Sequence, residues 1–141
     1  MNCTFFGHRD APSSIKARLK ESILYLQKQG VECFYVGNNG GFDALVQTAL
    51  LELSLEKNNI KYFIVTSFLG EFAMSGEQER TIFPEGQELT FPRFAISKRN
   101  EWLLNNSSHV IAYVKNSCSN SYKFVERAKR KGLSVINLAE E

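Results

Sequence analysis

Cysteine, histidine and proline are scarce in this sequence, and each scarcity excludes something. Three cysteines in 141 residues, at Cys3, Cys33 and Cys118, give an odd count with no CxxC spacing. That excludes a disulfide framework and a cysteine-based zinc site, and points to a reducing, cytoplasmic setting. The two histidines, His8 and His109, lie far apart, so no metal-ligand cluster is expected. No paired carboxylates and no Ser/His/Asp arrangement announce a catalytic centre, and no cofactor is expected. No run approaches the roughly 20 apolar residues of a membrane span. No basic segment followed by an apolar core stands at the N-terminus, so no signal peptide is expected. Charge of one sign is also lacking, with 17 Lys and Arg against 15 Asp and Glu. A net charge of +2 disfavours nucleic acid and membrane surfaces as partners. The basic residues at Lys123, Arg127, Lys129, Arg130 and Lys131 read as a solvated helix face.

What is present is a hydrophobic fraction of 43% in a chain of single-domain length, enough for a buried core. Short apolar runs alternate with helical periodicities. Residues 2–6 read as a strand. Pro12-Ser13-Ser14 opens a helix with Ile15, Leu19, Ile23 and Leu26 on one side, and Gly30 ends it. Residues 32–36 form a second strand. A second helix runs from Phe42 to Lys57, with Leu45, Ala49, Leu50, Leu53 and Leu55 mostly inward, and Asn58-Asn59 breaks it. A third strand covers 60–66. Residues 67–92 show no clean period and read as an irregular insertion, functional or mobile. Helix 93–106, strand 108–114, helix 119–131 and strand 133–138 complete the chain. The order predicts one α/β domain over residues 1–141, a three-layer αβα sandwich with a mostly parallel sheet of about five strands. Its strands are continuous apolar runs, as strands covered on both faces are.

Loops at the carboxyl ends of such strands gather where ligands bind. After the first strand comes Gly7-His8-Arg9. Glycine permits close approach, Arg9 can fork onto a phosphate or carboxylate, and His8 can donate or act as a base. Equally, His8 and Arg9 can simply brace the turn. After the second strand comes Gly37-Asn38-Asn39-Gly40-Gly41-Phe42-Asp43. Its successive amides can cradle an anion, although it is neither GxGxxG nor a P-loop. Asp43 either caps the helix or meets a ribose hydroxyl; Asp43 and His8 are the catalytic candidates. Lys98-Arg99-Asn100-Glu101 reads by default as surface charge, with Arg99 and Asn100 able to face the sheet edge. The loop 115–121, with Ser117, Ser119 and Ser121, suits either a phosphate or sugar or a plain capped turn. Cys118 has no histidine near it in sequence and is not read as a nucleophile. Glu71, Glu77, Glu79 and Glu85 either line a lid or face solvent.

The segments Thr4-Phe5-Phe6-Gly7-His8-Arg9, Phe34-Tyr35-Val36-Gly37 with Gly40-Gly41-Phe42-Asp43, and Lys98-Arg99-Asn100-Glu101-Trp102-Leu103 before Ser108–Val114 resemble the YpsA-like branch of the SLOG superfamily. That superfamily also holds the Lonely Guy enzymes and the Smf/DprA proteins. The resemblance spans nearly the whole chain. It implies a Rossmann-like fold binding a nucleotide-derived ligand, a nucleoside monophosphate or an ADP-ribose type, as a sensor or sequestering module. Gly7, His8 and Arg9 would then flank the ligand, with Gly37, Gly40, Gly41 and Asp43 as a second wall and Arg99 and Asn100 as a third. Relatives carry a glycine-containing turn after the fourth strand, whereas residues 117–121 here contain no glycine. With Ser121 aligned to the threonine of that turn, Phe124 stands where Lonely Guy hydrolases carry glutamate, which counts against phosphoribohydrolase activity. That hydrolysis and DprA-like single-stranded DNA binding are the alternatives the resemblance leaves, and pairing of relatives through helices makes a homodimer compatible with it.

Overall fold

The computed structural model describes residues 1–56, 58–75 and 78–140. It is an α/β sandwich around one all-parallel sheet of six strands. The strands are β1 (Asn2–Gly7), β2 (Cys33–Val36), β3 (Tyr62–Val65), β4 (Thr81–Ile82), β5 (His109–Tyr113) and β6 (Ser134–Asn137). The helices are α1 (Lys16–Lys28), α2 (Gly41–Leu55), α3 (Leu69–Met74), α4 (Ala95–Asn105) and α5 (Asn120–Arg130). Strand order is β4-β3-β2-β1-β5-β6, so the chain winds outward from β1 in one direction, then returns and winds in the other. None of the helices among the described residues is long and apolar enough to cross a membrane.

Successive side chains of a strand point to opposite faces, and the two halves of the core follow that period. Cys3 and Phe5 of β1, Phe34 and Val36 of β2, and Ile111 and Tyr113 of β5 join Leu19, Ile23, Val46 and Leu50 from α1 and α2. Phe6, Val65, Val110 and Ala112 face the other way, onto Leu103 and Leu104 of α4 and Phe124, Val125 and Ala128 of α5. Both faces are therefore covered, which is why the strands carry apolar residues without polar alternation.

The sixth strand was not expected. Thr81 and Ile82 pair with Ile64 and Val65 at the edge of the sheet, inside the stretch read as irregular. That stretch also holds α3 and is tied down by Gln87, which is buried and donates to the carbonyls of Ser67 (3.1 Å) and Ala95 (2.6 Å). Helix α2 ends at Leu55, which is 74% exposed rather than inward. Asn59, four residues beyond that end, adopts φ 54°, the left-handed conformation that asparagine tolerates. Lys57, the expected end of that helix, lies outside the described residues.

Candidate functional site

Strand order reverses at β1, between β2 and β5, and the loops leaving β1 and β5 part there to open a cleft of about 410 Å³. Its first wall is the end of β1. Gly7 lies directly against the Phe42 ring, which is fully buried, so a side chain at position 7 would collide with a residue that cannot yield. Gly41 approaches the loop still more closely: a Cβ there would fall on the Arg9 carbonyl oxygen. Its N–H donates to that same oxygen (3.1 Å). The glycines at 7 and 41 thus serve to lace the loop after β1 to the N-terminus of α2.

That lacing alters the expected anion cradle at residues 37–43. The Gly41 amide is directed to Arg9, and the Asn39 amide donates to Asp43 Oδ2 (3.0 Å). Gly37, Asn38, Gly40 and Gly41 do not line the cleft; Asn39 and Asp43 do. Asp43 sits in the first turn of α2, where it accepts the amide four residues back, a capping role. Burial raises its carboxyl from the usual 3.8 to about 6, against the opposing pull of the Arg99 guanidinium and the Asn39 amide.

Arg99 is not surface charge. It is 2% exposed and reaches from α4 across the ends of β2 and β3. Nη1 donates to the Val65 carbonyl (2.9 Å) and Asn38 Oδ1 (3.3 Å), Nη2 to Asn39 Oδ1 (2.9 Å), and Nε to Asn100 Oδ1 (2.9 Å). Gly37 makes room for this group, since a Cβ there would stand 2.8 Å from both Arg99 Nη1 and Asp43 Oδ2. The four residues 98–101 diverge in environment. Lys98 is exposed, Arg99 buried, Asn100 half-buried in the cleft, and Glu101 approaches Arg127 of α5 (3.7 Å). Desolvation lowers the Arg99 pKa, while Asp43 and Glu71 oppose that shift. Glu71 accepts the amides of Ser67 and Phe68 (3.1 Å each) at the start of α3. Glu79 and Glu85 are exposed, and Glu77 lies outside the described residues. No described residue of 67–92 lines the cleft.

The second wall comes from β5. His8 Nε2 accepts the amides of Lys115 (2.8 Å) and Asn116 (3.1 Å), which places the proton of the neutral ring on Nδ1. The His8 amide donates to the Tyr113 carbonyl (3.1 Å), so this residue clasps the two parting loops together. Ser119 Oγ accepts the Tyr122 amide (3.1 Å) and donates to the Asn116 carbonyl (2.9 Å), capping α5. Ser121 Oγ donates to the Gly7 carbonyl (2.9 Å). Ser119 and Ser121 line the cleft; Ser117 is exposed outside it. Phe124 stacks on Phe6 (5.6 Å between centroids) in the core and does not face the cleft. Replacing Ser119 with Ala removes a helix cap and is expected to lower stability by about 1 kcal/mol in urea unfolding. An unchanged midpoint would show that the cap contributes nothing.

Four segments read separately in the sequence therefore meet in one cleft: Gly7-His8-Arg9, Asp43, Arg99-Asn100, and Ser119 with Ser121. Asn39 enters the cleft from within the segment read as an anion cradle, whereas the sequence reading did not single out Arg93, Ile96 and Ser97, which also line it. The signal for the last three was present, because 93, 96–97, 100 and 103 recur on one helical face with Asn100. Asp43 is the one carboxylate among the described lining residues. No group of three or more His, Cys, Asp or Glu among the described residues could hold a metal ion. The arrangement offers cations, amide groups and hydroxyls around a single carboxyl of raised pKa. No protein-family model matches the chain, and no curated protein matches it in sequence.

Proposed function

We propose that this cleft binds a nucleotide-derived ligand, a nucleoside monophosphate or an ADP-ribose type, and that the protein acts as a sensor or sequestering module of SLOG kinship. The observation carrying this reading is the place of the cleft at the strand-order reversal, where parallel α/β sheets receive ligands. The donor set supports it. Asp43 suits ribose hydroxyls, Asn100 a base edge or sugar, and Arg9 an anion. The lone carboxylate favours binding over hydrolysis, since the other acid–base candidate in the cleft, His8, has its Nε2 committed to the Lys115 and Asn116 amides.

Thermal shift against nucleoside 5′-monophosphates and ADP-ribose tests the reading. A true ligand at 100 times its dissociation constant adds about 2.7 kcal/mol, a clear rise in Tm. A full panel without stabilisation would end it. A second reading, N-glycosidic hydrolysis of a nucleoside monophosphate, draws on one observation. Asp43 has its pKa pushed up to about 6, near the working pH that suits proton transfer. It requires free base to appear in the incubation and to vanish in Asp43→Ala; incubations without base release remove it.

A further inference from the structure

We propose that Arg9 and Arg93 form a two-cation clamp for a doubly negative phosphate group of the ligand, whether a monoester or a pyrophosphate bridge. This rests on the nucleotide reading and specifies which side chains hold the charge. Three arginines line the cleft, and they differ sharply. The guanidinium of Arg99 is buried and already bonded to the Val65 carbonyl and to three asparagine side chains. Arg9 and Arg93 are exposed, and neither guanidinium is in an ion pair or hydrogen bond with another described residue.

The two come from different segments. Arg9 leaves the loop after β1, whereas Arg93 belongs to the single 3-10 turn Pro92–Phe94 that leads into α4. The Arg93 guanidinium lies over the Phe94 ring at 4.7 Å, which restricts the side chain before any ligand arrives. Asp43 does not compete for either, since it accepts the Asn39 amide and lies beside Arg99. On the opposite wall the loop into α5 turns most of its donors inward. The amides of Lys115, Asn116, Cys118, Ser119 and Tyr122 all have partners within the loop or on His8. The hydroxyls of Ser119 and Ser121 donate to main-chain carbonyls. A phosphate with close to two negative charges needs strong compensation, and two guanidinium forks are the strongest uncommitted donors here.

Calorimetric titration with AMP, ADP-ribose and adenosine tests the clamp. In the wild-type chain AMP or ADP-ribose is expected to bind at least tenfold more tightly than adenosine, with the advantage shrinking as salt rises. Whichever of AMP and ADP-ribose holds that advantage identifies the monoester or the bridged pyrophosphate as the group that is clamped. Arg93→Ala and Arg9→Ala should each remove most of it while leaving adenosine affinity unchanged, and Arg93→Lys should keep part of it. Retention of the full advantage in Arg93→Ala overturns the clamp and places the phosphate on the α5 amides. Equal binding of AMP, ADP-ribose and adenosine to the wild type overturns the clamp but leaves the nucleoside site. Binding of none of the three removes the clamp together with the nucleotide reading beneath it.

Discussion

Arg99→Met is expected to lower the stability of the folded chain by about 3–5 kcal/mol, the usual penalty for removing one side of a buried charged network. Methionine approximates the length of the stem but has no donors. The Val65 carbonyl and Asn39 Oδ1, both bonded to Arg99 at 2.9 Å, would each lose that bond, and Asp43 would lose its nearest opposing charge. The buried Val65 carbonyl, losing its Arg99 donor, costs about 1–3 kcal/mol, whereas the half-buried Asn39 Oδ1 keeps the Ser67 hydroxyl as a donor (3.4 Å). Domains of this size have about 5–15 kcal/mol in all, so the variant should be marginally folded at best. Arg99→Lys should fall between the two, because one ammonium cannot reach every acceptor that the planar guanidinium spans. Urea unfolding followed by circular dichroism checks both. A loss under about 1 kcal/mol for the methionine variant would mean that the network, although fully formed, contributes little beyond an apolar filler.

Asp43→Asn should do the opposite to stability and remove binding. The folded carboxyl titrates at about 6 against 3.8 for the ordinary group, so between those values the folded chain retains a proton that the unfolded chain has released. Stability therefore falls as pH rises through the window from 3.8 to about 6 and is level above it, with a total penalty of about 3 kcal/mol. Asparagine cannot ionise, yet its Oδ1 still accepts the Asn39 amide. The variant should thus gain up to about 3 kcal/mol at pH 7, match the wild type near pH 4, and show a flat profile between. Urea midpoints at pH 4, 5, 6 and 7 decide the matter. Parallel profiles for variant and wild type would show that another group titrates in that window. A stabilised protein that no longer binds is the expected signature of a residue kept for its site rather than for the fold.

The layered architecture was legible because it follows from periodicity. Phe5, Phe34 and Ile111 sit in runs that only a doubly covered strand explains, and Leu19, Ile23 and Leu26 recur at helical spacing. The edge strand Thr81–Ile82 was not legible, since two residues carry no period and their pairing depends entirely on β3. The default reading of Arg99 as surface charge fails for a related reason, while the alternative that it faces the sheet edge agrees with its place in the cleft. Its sequence neighbours Lys98 and Glu101 are charged, and nothing local distinguishes the one member whose side chain turns inward to the strand ends. Gly7 was read as a place of close ligand approach and Gly41 as part of an anion cradle, but what meets them is the Phe42 ring of α2 and the Arg9 carbonyl, a tertiary fact invisible in a single segment. Ser119 illustrates an ambiguity that sequence leaves open and geometry closes, because its hydroxyl caps α5.

The winding order also imposes a sequence of events on the nascent chain. Strand β1 acquires β2 and the α1–α2 layer early, but its other neighbour begins only at His109. The opposite face, where Phe6 and Val65 meet α4 and α5, has no cover until residues 95–130 have emerged. A growing chain that has paired β1 with β2 before α4 and α5 emerge would carry a sheet covered on one face only, and that bare face is what a ribosome-associated chaperone would meet. A translational pause before α4 would prolong this exposure, whereas one after α5 would fall when both faces are already closed.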